Sequence, residues 1–369
     1  MLHIDDFSST ISRLDAAQAP RCMIFSRQIA IIITTILSPL ATGNVAPLSS
    51  SETAPTTLLP FSISYDDPKS SQLDLSYLLK RPAGKDGYIT VQGGHFFTPS
   101  GDRFKIWGVN LSWGACLPEK KDAPAYAAFL ARFGINAVRF HFLDSNYGQE
   151  HSLFDYSATT TRVLHPQQLD KLDFFVSELK RAGIYIDLNL NVGRTYRKDD
   201  GVPDYERLGF AKSVTFFDDH IIELQKEYAK QLLTHVNPYT GLSFANEPAV
   251  LMVEILNENS LTDAWAGGRL LGENTAVSDS GNATWRDIPP YYGKELTKMF
   301  NLWLRQNVDP AHRASIAVEA KVNPGDEIPR LAPKEFKDAS KVRFQAEAQF
   351  LLNTERNFFT GMYNYLRND

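Results

Sequence analysis

The chain alternates between short apolar runs and amphipathic stretches, and this alternation restricts its fold more than any other feature. Apolar runs of seven residues lie at 105–111, 136–142, 184–190 and 250–256. Stretches with apolar residues at helical spacing follow the first three runs, at 123–134, at 166–183 and from near Asp218 to Pro238. Strands and helices in this order predict right-handed βαβ units and a parallel sheet covered by helices.

A stretch rich in turn residues precedes the first long run. Residues 87–112 contain two or three short strand-like segments, which are separated by Gly93-Gly94 and by a Pro-Ser-Gly-Asp sequence at 99–102. Such turns are typical of β-hairpins. The sequence therefore predicts an N-terminal β-hairpin region that leads into the first strand of the parallel sheet.

Two architectures fit a parallel sheet of this kind: a doubly wound open sheet and a (β/α)8 barrel. No G-x-G-x-x-G or G-x-x-x-x-G-K sequence joins the first strand to its helix, so no nucleotide-phosphate site is indicated. In a barrel, reacting groups collect at the C-terminal ends of the strands. Polar residues lie at those ends here: Asn110, Arg139, His141, Asn189, Asn191, Asn257 and Glu258. We predict an α/β fold of the (β/α)8 TIM-barrel type, represented by its first four βα units and the β-hairpin region.

The first 60 residues have the features of a targeting segment followed by a linker. Arg21 and Arg27 precede an apolar run at 29–37 that is too short to span a bilayer. We predict a signal peptide region at 1–46, for which Met23 is a more conventional start; a buried helix or an uncleaved anchor is the alternative. Residues 47–60 are rich in Ser, Thr and Pro, which predicts a disordered linker before a domain at 61–369. The expected location is secreted, periplasmic or extracellular, with no membrane contact after cleavage.

The composition argues against a polyanionic partner. The formal net charge is -5, and no run of Lys or Arg marks a surface for nucleic acid. Removal of the signal region takes Cys22 with it and leaves Cys116, so a disulfide framework is excluded and Cys116 is predicted to be a small packing residue. The mild net charge suits a neutral substrate. The composition leaves the oligomeric state open.

The dipeptide Asn-Glu occurs on both sides of the fourth apolar run, at Asn246-Glu247 and at Asn257-Glu258. Pro248 biases Glu247 toward an extended conformation before the strand begins. Glu247 is therefore predicted at the N-terminal end of the strand, which is the stability face of a barrel. Glu258 follows the strand and is predicted at the opposite end, where reacting groups collect.

A third acidic residue, Glu254, lies within the same run. Strand alternation places Glu254 and Glu258 on one face, so Glu254 is predicted to be a buried polar support that pairs with Arg139. The side chain of Asn257 would point to the other face of an ideal strand. A local twist or bulge is therefore needed to bring Asn257 to a ligand.

The four strand regions together resemble a known family. The sequences FKIWGVNLSWGA, FGINAVRFHFLDS, GIYIDLNLNVGR and PAVLMVEILNENSL are similar to the first four strands of glycoside hydrolase family 5, the cellulase and mannanase family of a large clan of retaining glycosidases. The resemblance extends from about Asp74 to the C-terminus. Its most specific parts are Asn257-Glu258 after the fourth strand and Arg139 on the second.

The resemblance implies a role for each matching residue. Glu258 corresponds to the general acid/base, and Asn257 to the residue that binds the sugar 2-hydroxyl. Arg139 corresponds to the arginine that orients the nucleophilic carboxylate. His141 falls in the region of the substrate floor. Many relatives end the third strand with a histidine, where this chain has Asn191, so a role of Asn191 in sugar binding departs from the family pattern.

Long loops leave the strand ends, at 144–166, 192–215 and 259–290, and they contain several aromatic residues. Aromatic faces stack well on sugar rings, and Trp265 is predicted to contribute to substrate binding. The packing of these rings within their own loops is the competing interpretation. The resemblance implies a carbohydrate substrate acting as the partner, with no metal and no other cofactor.

A retaining mechanism needs a second carboxylate ~5 Å from the acid/base. In the family this nucleophile comes from the seventh strand. We therefore expect the chain to be the N-terminal portion of a longer glycosidase, truncated after the fourth βα unit and inactive by itself.

Two other functions remain open at this point. The first is a non-catalytic half-barrel that binds carbohydrate or a protein partner. The second is a different (β/α)8 enzyme, such as a lyase or a metal-dependent hydrolase, in which His141 and Asp144 would converge with His165 or His220. No H-x-H or H-E-x-x-H spacing supports that metal site.

Overall fold

The structure, a computed structural model, describes residues 74–146, 151–277, 284–323 and 325–368. These residues all belong to one compact unit that spans Ser62–Asp369. The predicted signal region and linker lie outside the described residues, so both stay predictions.

Four parallel strands form the main sheet, and their order in the sheet is their order in the chain. They are β3, Gly108–Ser112; β4, Ala137–His141; β5, Tyr185–Asn191; and β6, Val250–Leu256. Before them, β1, Thr90–Gln92, and β2, His95–Phe97, form the predicted antiparallel hairpin. The four strands follow the predicted apolar runs, and β6 has the predicted bounds.

Seven α-helices accompany the strands in the described part of the chain. They are α1, Ala123–Arg132; α2, Pro166–Ala182; α3, Asp219–Thr234; α4, Leu261–Ala266; α5, Pro290–Asn307; α6, Pro310–Glu319; and α7, Lys341–Asn368. The first three are crossovers between consecutive strands, as the βαβ pattern predicts. Together with the sheet order, they confirm the prediction of a partial (β/α) barrel that contains four βα units.

The ends of the crossover helices follow from local chemistry. Helix α2 starts with Pro166 and is followed by Gly183, whose φ of 87° suits glycine and ends the helix. Helix α3 is capped by Asp218, whose carboxylate accepts a hydrogen bond from the Ile221 N–H. These ends fix the points at which the chain returns to the sheet.

The sheet separates a buried side from an open side. The five central residues of β5 are buried, whereas every residue of β6 is half-buried, because β6 is an edge of the described sheet. One apolar cluster packs β3 to β5 against α1, α2 and α3, and a second joins α3 to α4, α5, α6 and α7. Cys116 lies in the first cluster as a buried free thiol, in agreement with its predicted packing role.

Glu247 lies at the N-terminal end of β6, as predicted. Its side chain is 1% exposed and accepts hydrogen bonds from Lys180 Nζ at 2.9 Å and from the Ala249 N–H at 3.0 Å. Glu247 therefore anchors the start of the strand to the end of helix α2. None of the described helices combines the length and hydropathy needed to cross a membrane.

Candidate active site

Arg139 is the centre of a hydrogen-bond network on the open face of the sheet. Its Nε and Nη2 donate to the two carboxylate oxygens of Glu254 at 2.7 and 2.6 Å. Its Nη1 donates to Asn110 Oδ1 at 2.9 Å, and its Nη2 also reaches Asn189 Oδ1 and Asn257 Oδ1, both at 3.0 Å. One guanidinium on β4 thereby connects side chains from β3, β5 and β6 with the side chain of Asn257, which follows β6.

Glu254 pairs with Arg139, as the sequence predicts, but the pair is not deeply buried. The side chains of Arg139 and Glu254 are 26% and 32% exposed, because no described strand covers this face. The hydrogen bond from Arg139 lowers the pKa of Glu254. On the next strand, burial and then the neighbouring Glu254 carboxyl raise the pKa of Asp187. Asp187 therefore tends to keep its proton while Glu254 is ionised.

His141 joins the network at the end of β4. Its Nδ1 lies 3.0 Å from Arg139 Nη1 and 3.0 Å from Asn189 Oδ1. Burial lowers the pKa of His141, which favours the neutral imidazole beside the guanidinium. Because Arg139 can only donate and Asn189 Oδ1 can only accept, Nδ1 forms a hydrogen bond with one of these two groups at a time.

Asn257 and Glu258 follow the last residue of β6. The Asn257 N–H donates to the Asn191 carbonyl at 3.0 Å, so residue 257 is still held by the neighbouring strand. Glu258 has a φ of 43°, in the left-handed region that residues other than glycine seldom adopt. Asn257 Oδ1 contacts Arg139, and Glu258 is exposed at the C-terminal end of the sheet. The φ of residue 258 directs the chain that follows Asn257, so the twist or bulge predicted for Asn257 itself stays a prediction.

The loop after β5 holds Glu258 in this conformation. Lys212 Nζ donates to the Glu258 carbonyl at 2.9 Å, and the Ser213 N–H donates to Asn259 Oδ1 at 2.8 Å. Asn259 Nδ2 in turn donates to Thr215 Oγ1 at 2.8 Å. Burial lowers the pKa of Lys212, and the negative charge of Glu258 opposes that effect. Sequence reasoning missed Lys212, because no local pattern links it to residue 258.

The structure contradicts the predicted binding role of Trp265. This residue lies in α4, is 4% exposed, and donates its indole N–H to the Leu331 carbonyl at 2.9 Å. Its ring packs against Phe336 and Phe344 with centroid distances of 4.5 and 4.9 Å. The prediction for Trp265 was wrong, because partners some 70 to 80 residues later in the chain bury the ring.

Other aromatic residues are exposed near the strand ends. Trp113 follows β3 directly, is 45% exposed, and stacks on Phe142 with a centroid distance of 5.1 Å. Trp285 is 59% exposed and lies under Lys212 Nζ at 5.5 Å from its ring centroid. The position of Trp113 immediately after a predicted strand was a signal that could have identified it.

Asn191 does not join the Arg139 network. Its Nδ2 donates to the Ile255 carbonyl at 2.8 Å, so the side chain ties β5 to β6. The structure thus brings Arg139, His141 and Asn257 together, and Glu258 follows Asn257 in the chain. The roles assigned to these residues by the resemblance stay predictions.

The residues proposed for a metal site are engaged elsewhere. Asp144 is fully buried and accepts hydrogen bonds from the Val192, Gly193 and Arg194 N–H groups. His220 Nε2 contacts the Asp200 carbonyl at 2.7 Å. Within the described ranges, no group of three His, Cys, Asp or Glu residues is arranged to hold a metal ion.

Comparison with known proteins supports the family resemblance. A mannan endo-1,4-beta-mannosidase 4 of Oryza sativa subsp. japonica is 28% identical over 185 residues, which is 47% of this chain and 38% of that protein. The chain thus spans less than half the length of this curated relative. No model of a known protein family matches the chain. The predicted resemblance to the cellulase and mannanase family is confirmed over about half of the chain.

Two solved structures match parts of the chain at low similarity. An endo-1,4-beta-mannanase from Rhizomucor miehei has a TM-score of 0.39 and 18% identity, covering 54% of this chain and 55% of that one. A glycoside hydrolase family 5 mannosidase from the same organism has a TM-score of 0.36 and 15% identity, covering 46% of this chain and 48% of that one. At these scores, the fold of this chain rests on its own strand order.

Proposed function

We propose that this chain carries the acid/base half of a retaining glycoside hydrolase site. The observation that carries the proposal is the arrangement after β6. Asn257 is held by Arg139, and Glu258 turns out of the strand at the end of the sheet where barrel enzymes place their reacting groups. In this proposal Glu258 is the general acid, which protonates the leaving oxygen, and then the general base, which activates water.

The hydrogen bond from Arg139 supports a specific role for Asn257. Arginine only donates, so Asn257 must present Oδ1 to Arg139, as it does at 3.0 Å. Its Nδ2 is then directed away from the guanidinium and can donate to a substrate hydroxyl. In the proposed mechanism that hydroxyl is the sugar 2-hydroxyl, whose hydrogen bond strengthens as positive charge develops on the ring.

The substrate class follows from the relatives. The curated relative is named a mannan endo-1,4-beta-mannosidase, and we extend that substrate class, a β-linked polysaccharide or oligosaccharide of mannose, to this chain. The exposed rings of Trp113 and Trp285 offer faces for sugar stacking at the strand ends. The predicted signal region makes secretion part of this proposal.

Three acidic side chains of the strands and of the residues that follow them are engaged with other groups. Glu254 is paired with Arg139, Asp187 lies beside Glu254 on the sheet, and Asp144 is buried under three N–H groups. We propose that the 369-residue chain alone does not turn over glycosides, because the double displacement needs a second carboxylate.

A small external nucleophile tests this proposal. We expect no product from 4-nitrophenyl β-mannobioside in buffer and release of 4-nitrophenol when azide is added. Azide attacks the anomeric carbon in place of the absent carboxylate, the bond to the aryl oxygen breaks, and that oxygen takes a proton from Glu258. The sugar product is then an α-mannobiosyl azide. Turnover in buffer alone that Glu258→Gln abolishes would contradict the proposed inactivity, and no azide product would contradict the proposed site.

A non-catalytic binding half-barrel is the second candidate, favoured by the open face of the sheet. It predicts that mannohexaose binds with an affinity that Glu258→Gln leaves unchanged and that azide produces no glycosyl azide. Calorimetry with both proteins distinguishes this candidate from the proposed enzyme site.

A further inference from the structure

A cavity of about 420 Å³ lies between the loops that follow β4 and β5. Its floor contains Tyr156, Thr195 and Tyr196, and its wall contains Arg197 and Lys198. None of the residues that line it belongs to the Arg139 network or to the turn around Glu258. The cavity is therefore a separate feature of the same end of the sheet.

The two tyrosines at the floor of this cavity are held by contacts with neighbouring groups. The Tyr156 hydroxyl donates to the Asp144 carbonyl at 2.6 Å and accepts from the Thr195 N–H at 3.2 Å. The Tyr196 ring lies 5.0 Å from the Arg194 guanidinium, whose own N–H groups are bound by Thr161 and by the Leu224 carbonyl. A ligand would thus meet a preformed surface and would not pay for ordering it.

Thr195 lies against this cavity but offers it no accessible hydroxyl. The residue is 9% exposed, and its Oγ1 is fully buried and, among the described residues, has no hydrogen-bond partner. The polar contacts of a ligand would therefore come from the other residues that line the cavity.

The wall of the cavity carries an excess of positive charge. Arg197 and Lys198 face a single acidic lining residue, Glu206, and neither cation forms a salt bridge with any residue that the structure describes. The backbone N–H of Arg197 donates to Asp200 Oδ2 at 2.7 Å, which fixes the base of its side chain. The guanidinium of Arg197 can bind a carboxylate with two parallel hydrogen bonds.

The half-buried ring of Tyr205 also lines the cavity, and its hydroxyl donates to Glu206 Oε1 at 3.1 Å. An aromatic face beside hydroxyl and amide groups suits a pyranose ring, which needs one stacked face and several hydrogen bonds. The positive wall adds a requirement for a negative group on that ring.

We propose that this cavity binds a sugar acid, a pyranose that carries a carboxylate, with Arg197 and Lys198 on the carboxylate and Tyr205 against the ring. The choice of a sugar over another carboxylate rests on the proposed function of the chain; the choice of an anion rests on the cavity alone. The ligand would be an acidic residue of a polysaccharide or of its fragments.

The test is a ligand-observed NMR titration of the full chain with methyl β-D-glucuronide. We expect a dissociation constant on the order of 1 mM, with methyl β-D-glucoside and acetate each binding about tenfold more weakly or worse. Arg197→Gln should weaken glucuronide binding about tenfold, and Lys198→Gln should weaken it by a smaller factor. Arg356→Gln, at an exposed position of α7, is the matched control and should leave binding unchanged.

The outcomes separate the parts of the proposal. No glucuronide binding, equal binding of the glucoside, or full binding by a folded Arg197→Gln protein overturns it. Acetate that binds as tightly as the glucuronide overturns the assignment of a sugar. Glu258→Gln should bind glucuronide like the unmodified protein, so failure of the proposed hydrolase function would not affect this result.

Discussion

At the scale of single residues, Arg139 determines the shape of the candidate site. Its guanidinium contacts Asn110, His141, Asn189, Glu254 and Asn257, so one side chain connects all four strands of the sheet with the residue that follows the last strand. The planar fork allows these contacts to form together, which a lysine ammonium cannot reproduce.

We predict that Arg139→Lys lowers the free energy of unfolding by about 1–2 kcal/mol. This loss is smaller than that expected for a fully buried ion pair, because the side chains of Arg139 and Glu254 are 26% and 32% exposed. Urea denaturation measures the change. Arg162→Lys is the matched control, since Arg162 also donates to both carboxylate oxygens of a glutamate, Glu227, but at the surface. It should cost about 0.5 kcal/mol or less. Equal losses in the two variants would contradict the special position of Arg139.

Glu347 gives a prediction on pH. It is fully buried, its Oε2 accepts the Leu331 N–H at 2.6 Å, and burial raises its pKa from 4.5 to about 7. A raised folded-state pKa gives stability that is fully present below pH 4.5 and is lost as the pH rises through about 7. A shift of this size corresponds to about 3 kcal/mol.

Glu347→Gln should therefore remove much of the loss of stability between pH 5 and pH 8, because the amide can still accept the Leu331 N–H and does not ionise. Urea midpoints of both proteins at the two pH values measure the effect. The same pH dependence in both proteins would show that Glu347 does not titrate as described.

At the scale of secondary-structure elements, the sequence was sufficient to predict where the strands of the main sheet lie. Strand β6 has the predicted bounds because Pro248 precedes it and Asn257-Glu258 leaves strand geometry after it. Strand β3 begins at Gly108, three residues later than the apolar run, because the backbone at Trp107 pairs with both the backbone and the side chain of Asn136. Local signals of apolar length and turn chemistry determine such boundaries.

The parts of the site that depend on distant contacts could not be predicted. Helix α4 and the burial of Trp265 depend on packing against Phe336 and Phe344. The contact of Lys212 with Glu258 depends on a loop in which Ala211 and Ser213 both have positive φ. Such backbone conformations at residues other than glycine are set by surrounding packing and leave no periodic pattern in the sequence.

Replacing a helical glycine by alanine should change the stability of the protein in opposite directions at two positions. In α5, a Cβ on Gly293 would lie 2.5 Å from Gly272 Cα, so the helix would have to move away from its neighbouring loop. In α7, a Cβ on Gly361 would meet nothing within 4 Å. We expect Gly293→Ala to destabilise the protein by about 1–3 kcal/mol and Gly361→Ala to stabilise it by about 0.5–1 kcal/mol. Thermal unfolding of both variants measures the signs, and a stable Gly293→Ala protein would contradict the close approach.

At the scale of the whole molecule, the described residues form a sheet with an open inner face. The network of Arg139, Glu254 and Asp187 lies on that face, so the charged groups are already paired with each other where no strand covers them. The proposed site uses the C-terminal ends of β4, β5 and β6, and it therefore supplies an acid/base and a hydroxyl-binding amide without a free nucleophile. This arrangement is the reason that an added nucleophile should be needed for turnover.

The most direct test of the account is whether Glu258 donates a proton to the leaving group. In the presence of azide, Glu258→Gln should slow the release of 4-nitrophenol from 4-nitrophenyl β-mannobioside about 100-fold or more. The 2,4-dinitrophenyl glycoside, whose leaving group needs no proton, should slow by less than about tenfold in the same variant. An equal effect on the two substrates, or no effect on either, would contradict the assignment of Glu258 as the acid/base.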